Sequence, residues 1–324
     1  MTNPSSSVNH HETPPILFLV FRRPALTARV FAAIRLARPS HLFVAADGPR
    51  PDHPGEAARC EETRKLATMV DWPCEVQTLF RDQNLGCGPA ISGAIHWFFE
   101  HVEEGIILED DCLPDPSFFP YCAELLAHYR HDTRVMHIAG YNPLDHGFGD
   151  GSYYFSPIMH CWGWATWKRV ADQYDYRIKN FSQFEQDGLI RGIFRRRLQQ
   201  RYWLRALRRY YRGLSSNWDH QWAYLVFSQH GLCVNPCINL VQNLGFGADS
   251  TFAANPWSYH GRRHVGQIAA IRHPSFLLPY PDAADQILRK ANGVWLPRMI
   301  AVWWALLLIR PLNVCLRPFG RKIL

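Results

Sequence analysis

The pattern that most limits what this chain can fold into is a series of short apolar runs separated by stripes of helical period. Residues 15–21 (PILFLVF), 41–46 (HLFVAA), 74–80 (CEVQTLF) and 105–108 (GIIL) are each too brief for a buried helix. Each stops in charge or glycine, as a buried strand does when it reaches solvent. Between the first two, Leu26, Val30, Ala33, Ile34 and Ala37 share one helical face. A further helix fits residues 56–69, and Ile91, Ala94, Ile95, Phe98 and Phe99 form another stripe. Strand and helix alternating in this way imply an α/β fold, with a mostly parallel central sheet flanked by helices. Right-handed crossovers then bring all the carboxyl ends to one rim, where Arg22, Arg23, Asp47, Gly86, Gly88, Glu109, Asp110 and Asp111 collect. Ligands of such sheets bind in the crevice outside that rim.

The triplet Glu109-Asp110-Asp111 carries the most chemistry. Adjacent carboxylates repel one another unless a cation or hydrogen-bond donors compensate, and an oxygen-only cluster suits a hard divalent ion, Mg²⁺ or Mn²⁺, better than zinc. A solvated turn, or the cap of a helix starting near Pro116, would use the same residues. No GxxxxGK[ST] and no early GxGxxG follows the first strand, which argues against a P-loop ATPase or a dinucleotide oxidoreductase. Gly86-Cys87-Gly88 reads equally well as the loop that turns the chain into its next helix.

A chain of 324 residues with 47% hydrophobic residues can bury a large core, so disorder is not the expectation. Its net charge of +7 attracts polyanions without choosing among nucleotide phosphates, anionic lipid and nucleic acid. The nine cysteines include no CxxC pair and read as reduced packing residues. The opening residues lack the basic and apolar regions of a leader, which points to a cytoplasmic protein.

Past the triplet, residues 121–129 read as a helix, 134–139 as a strand and 147–151 as a flexible loop. Cys161 to Trp167 sets three indoles around Gly163, either a platform for the C–H faces of a sugar or a hinge in the core. Residues 191–212 hold nine arginines and no acid, over a stripe of Ile193, Phe194, Leu198, Tyr202, Leu207, Tyr210 and Tyr211 that continues to Leu214. That basic helix could bind anionic lipid, a phosphorylated acceptor or nucleic acid, or be a solvated helix without a ligand; nine uncompensated charges favour the lipid or phosphorylated acceptor. Residues 231–241 resemble a strand returning to the sheet, and 243–251 a glycine-rich loop. His260 and His264 are left outside the metal set. Residues 294–316 are dense in apolar residues, but Arg298 and Arg310 bracket a run of only eleven, short for a span; the tail fits an interfacial helix or a buried terminal one.

With its motifs in this order, the chain resembles the GT-A class of nucleotide-sugar-dependent glycosyltransferases, in particular the N-acetylglucosaminyltransferase I-like branch and bacterial family 2-like relatives, over roughly residues 15–252. The resemblance implies a GT-A nucleotide-diphospho-sugar transferase fold at 15–275, with a nucleotide half at about 15–115 and an acceptor half at about 116–275. A disordered start (1–14) and an amphipathic or membrane-associating segment (276–324) would flank it. Glu109-Asp110-Asp111 stands where the family has its DxD-type motif. Carried over, Asp111 would ligate Mn²⁺ or Mg²⁺, Glu109 and Asp110 would contact sugar or ribose hydroxyls, and Asp47 the nucleobase. Arg22 would face the phosphates, with Arg23 an equal candidate. Gly163 and Trp164 would lie beside the donor. Asp219, among tryptophans, matches the general base of inverting relatives; His220 is an alternative base, and helix capping another use of Asp219. The implied protein is a metal-dependent inverting glycosyltransferase of polysaccharide biosynthesis, peripheral on the inner face of the cytoplasmic membrane. It would move a sugar, UDP-linked by weak preference, to a glycan or lipid-linked acceptor hydroxyl, with nucleic acid not expected as a partner. The alternatives are a sugar-phosphate nucleotidyltransferase, or a noncatalytic membrane- or nucleic-acid-binding protein on a transferase scaffold.

Overall fold

The computed structural model of the protein describes residues 12–246 and 260–291. The first part alternates as β1 (Ile16–Val20), α1 (Pro24–Ala37), β2 (His41–Ala46), α2 (Glu56–Ala67), β3 (Glu75–Phe80), α3 (Cys87–His101) and β4 (Glu104–Glu109). Every residue of β1 is buried, because helices cover both faces of the sheet there. In α1, Pro24 opens the first turn without losing a helical hydrogen bond, and Thr27, Val30, Phe31 and Ile34 form the buried face at spacings of three and four.

The chain continues through β5 (Cys112–Pro114), α4 (Phe118–Tyr129), β6 (Val135–Ala139), β7 (Tyr153–Ser156), β8 (Trp164–Trp167), α5 (Lys168–Ala171), α6 (Phe181–Gln186) and α7 (Ile190–Ile193). It ends in α8 (Arg197–Tyr211), α9 (Asp219–Ser228), β9 (Leu232–Pro236), β10 (Val241–Asn243) and α10 (Pro281–Ala291). Eight strands form one mixed sheet in the order β3-β2-β1-β4-β8-β6-β9-β7, flanked by helices, while β5 and β10 form a separate antiparallel ribbon.

The parallel arrangement expected from the sequence holds across β3, β2, β1 and β4, and again between β6 and β9. Elsewhere the sheet departs from it. β8 runs antiparallel to both of its neighbours, β4 and β6, and β7 is antiparallel to β9. The reason is the connection: no helix lies between β6 and β8 to carry the chain back in a crossover, and both strands that follow β6, β7 and β8, run against it. The register sets Val20 beside Ala46, Ala46 beside Phe80 and Leu19 beside Glu109, so the ends of β1 to β4 do share one rim.

Three other expectations change. Residues 147–151 are packed: a Cβ on Gly147 would lie 2.0 Å from Cys237 Sγ, and one on Gly149 equally close to the Tyr280 hydroxyl. The arginine-rich stretch is two helices, because Phe194 leaves helical geometry between α7 and α8. Its buried side is Gln199, Trp203 and Leu207, while Leu198 and Tyr211 are exposed. Arg208 and Arg196 find acids outside the stretch, Glu185 at 2.5 Å and Asp285 at 3.3 Å. Within the expected C-terminal segment, α10 packs on the body through Ala283, Ala284, Ile287 and Leu288. The apolar tail at 294–316 lies outside the described residues, as do Gly247 to Thr251 of the glycine-rich loop.

Candidate active site

The rim is assembled by the turn between β4 and β5. β4 delivers Glu109, and Asp110 and Asp111 form the turn before Cys112 pairs with Asn243 of β10. Asp110 is 2% exposed, a placement that a carboxylate tolerates only with partners. Arg23, just past β1, supplies them: its guanidinium binds Asp110 and reaches Asp111 Oδ2 at 2.8 Å. The Phe21 amide adds a long bond to Asp110 at 3.4 Å. Burial opposes the Arg23 charge, but Asp110 and Asp111 outweigh it and hold the guanidinium protonated.

Even so, the cluster is short of positive charge. Burial, then the charges of Asp111 and Asp110, push the Glu109 carboxyl well up, and burial raises Asp110 to about 6 despite Arg23. A divalent cation would remove that frustration. The residues fit one: all donors are carboxylate oxygens, Asp111 keeps some exposure, and Gly245 lies against it. A Cβ there would stand 2.2 Å from Asp111 Oδ2. The Leu244 amide donates to the Asp111 carbonyl at 2.7 Å, so the start of the glycine-rich loop is tied to the triplet.

The other residues of the rim are used as follows. Arg22 turns away from the triplet to Glu56 at 3.3 Å, where Arg50 also binds. Asp47 accepts from the amides of Gly48 at 3.0 Å, Leu85 at 3.0 and 3.1 Å, and Gly86 at 3.0 Å. It thereby ties the end of β2 to the loop entering α3, and its carboxylate is occupied by backbone.

Gly163 sits just before β8 with φ +62°, and a Cβ there would lie 2.8 Å from Val241. Only glycine combines that backbone with so close an approach of β10. Trp164 is fully buried, its ring stacked with His137 at 5.0 Å and Trp218 at 5.5 Å, so no sugar can lie on it. The sugar-platform reading therefore fails for Trp164, and Trp167, 2% exposed, is core as well. Trp162 is the partly buried indole of the group, beside Phe246 at 5.6 Å and His260 at 5.4 Å.

Asp219 opens α9 with its side chain 27% exposed. Burial works against its charge, yet the hydrogen bond and charge of His220, whose Nδ1 lies 3.1 Å away, bring its carboxyl below the ordinary range. Its charge in turn raises Glu109. Cys87 registers the convergence: burial and the charges of Glu109, Asp219 and Asp47 push its thiol up to about 12. The base candidate and the acidic turn thus lie within electrostatic reach of each other. What the sequence did not expose is the support for His220, which stacks on Tyr210 at 4.7 Å and lies 5.7 Å from Trp203, both on α8.

No family model matches the chain, and no curated protein matches it. Among solved structures it is similar to 4-diphosphocytidyl-2C-methyl-D-erythritol synthase from Anaerococcus prevotii DSM 20548, at 8% identity and TM-score 0.30 over 53% of this chain and 84% of that one. It is also similar to the inositol-1-phosphate CTP transferase from T. maritima, at 10% identity and TM-score 0.28 over 51% of this chain and 75% of that one. A third is an apo UDP-glucose pyrophosphorylase, at 10% identity and TM-score 0.26 over 49% of this chain and 79% of that one.

Proposed function

We propose that this chain is a divalent-metal-dependent inverting glycosyltransferase that uses a nucleotide-sugar donor, UDP-linked in the first instance, and an acceptor hydroxyl on a glycan or lipid-linked precursor. The observation that carries the reading is Asp219, which opens α9 with its carboxylate 3.1 Å from His220 Nδ1 and within electrostatic reach of Glu109 in the acidic turn. In this reading Asp111 holds Mn²⁺ or Mg²⁺, which when bound would neutralise charge on the departing diphosphate, and Glu109 contacts sugar or ribose hydroxyls. Asp110 and Arg23 brace the turn, and Asp47 shapes the loop that borders the nucleotide. Asp219 accepts the proton of the acceptor hydroxyl as that oxygen attacks the anomeric carbon from the side opposite the leaving group.

The acceptor side is α8. Arg197, Arg201, Arg205 and Arg209 are exposed there beside Leu198, with Leu214 just beyond, a surface suited to an anionic membrane or a lipid-diphosphate-linked acceptor. Among the described residues no helix is long and apolar enough to cross a membrane, and the association proposed is peripheral.

A second reading, sugar-phosphate nucleotidyl transfer, draws on Arg23 and the acidic turn, which would serve a phosphoryl centre as well as a leaving diphosphate. One experiment separates the two. Purified protein is offered UDP-, GDP-, dTDP- and CMP-sugars with candidate acceptors, and separately nucleoside triphosphates with sugar 1-phosphates, each with Mn²⁺, Mg²⁺ or chelator. Metal-dependent release of nucleotide, lost in Asp111→Ala and in Asp219→Asn, supports glycosyl transfer. Pyrophosphate release that survives Asp219→Asn supports the second reading and sinks the first.

A further inference from the structure

We propose that Glu124, His128 and His273 form a transition-metal site, separate from the acidic turn, that fastens residues 263–280 to the body of the protein. One ligand atom from each of the three lies within 4.8 Å of the others. Glu124 and His128 are four residues apart on α4 and so share one face of that helix. His273 comes from the segment leading to α10, with its Nε2 3.3 Å from Glu124 Oε1. Two imidazoles and one carboxylate are the donor set of zinc sites, and they contrast with the oxygen-only set of the acidic turn.

Two features prepare the site. First, the far nitrogen of His273 is engaged: Nδ1 lies 2.7 Å from the Tyr153 hydroxyl, which in turn lies 2.6 Å from the Tyr129 hydroxyl. With the Tyr153 proton given to Tyr129, its oxygen accepts from His273 Nδ1–H, and Nε2 presents a lone pair towards Glu124. Outer bonds of this type fix the tautomer and aim of a metal-bound histidine. Second, His128 and His273 stack face to face, with centroids 3.8 Å apart and planes within 8°. Parallel rings aim their lone pairs side by side, so the exposed His128 must turn about its side-chain bonds to meet an ion between Glu124 and His273 Nε2. A water would complete the tetrahedron.

The segment so held already follows the body closely. Its contacts include the Ile268 amide on Ser117 Oγ at 3.2 Å, the Ser152 amide on the Arg272 carbonyl at 2.8 Å, and the Tyr280 amide on the Phe155 carbonyl at 3.0 Å.

The test is a Co²⁺ titration of metal-stripped, full-length protein in excess Mg²⁺, which keeps hard-oxygen sites filled. One equivalent is expected to produce the intense visible bands of tetrahedral Co²⁺ without thiolate charge transfer in the near ultraviolet, and Zn²⁺ should abolish them. His128→Ala and Glu124→Gln should each weaken Co²⁺ binding by about tenfold or more, whereas Asp111→Ala should leave it unchanged. Zn²⁺ should raise the thermal midpoint of the parent and not of His128→Ala, a variant at an exposed position that retains the Tyr153–His273 bond. Absence of tetrahedral bands would overturn the proposal. So would bands that persist in His128→Ala, bands that disappear in Asp111→Ala, or a spectrum dominated by cysteine. None of these readings depends on transferase activity.

Discussion

At the scale of single residues, chemistry here is decided by the neighbour. Asp219 remains a carboxylate in a half-buried position because His220 lies beside it, and His220 is held in place by the Tyr210 ring. On the proposed mechanism, Asp219→Asn should lower kcat by about 10²–10⁴-fold with donor binding retained, measured by steady-state kinetics and donor titration. His220→Gln removes what depresses the Asp219 carboxyl. A base must be deprotonated to act, so the acid limb of the rate profile should move to higher pH; an unmoved limb would exclude Asp219 as the group it reports. The place of the triplet on the rim was legible in the sequence because acids that follow a buried apolar run emerge where the strand ends. The choice between Arg22 and Arg23 was not, because successive residues leaving a strand point to opposite sides. Which of them meets the acids depends on the register of β1 against β4. Trp164 misled for a related reason: an indole next to a glycine reads alike whether it faces a ligand or, as here, His137 and Trp218.

At the scale of elements, β1 to β4 and the helices between them follow from apolar runs and stripes, whose spacing records burial directly. The direction of β8 does not, since Trp164 to Trp167 would be buried in either sense. Nor do the partners of the basic helix, because Glu185 and Asp285 lie far from it in sequence. Gly88 shows the same limit in the first turn of α3. In an open helix, Gly→Ala stabilises by about 1 kcal/mol. Here a Cβ would stand 2.0 Å from the Ser216 carbonyl oxygen and 2.1 Å from the Tyr176 hydroxyl. Gly88→Ala should therefore destabilise, by about 1–3 kcal/mol, seen as a lower urea midpoint. Because Ser216 lies just before α9, the change should also reduce activity, and a higher midpoint would contradict the packing described.

At the scale of the whole molecule, stability should carry the mark of Glu56. Its side chain is fully buried, and a hydrogen bond from the Arg50 side chain, opposed by burial and aided by the Arg50 amide and the charges of Arg50 and Arg22, brings its carboxyl down to about 2. A depressed carboxyl contributes stability above its unfolded value of 4.5, and loses it as pH falls from there towards 2. Parent and Glu56→Gln should thus differ by about 3 kcal/mol near neutrality and converge below pH 2; a difference independent of pH would remove the ion pair as its cause. The position of β8 has a consequence for the order in which the protein is made. Residues 16–109 can emerge and pair as β1 to β4, yet the outer edge of β4 has no partner until residues 164–167 follow it. For that interval of synthesis the middle of the future sheet is an open strand edge, carrying Ile106 and Ile107. It is there, rather than at the finished outer strands, that a nascent chain of this design is most exposed to pairing with the wrong neighbour.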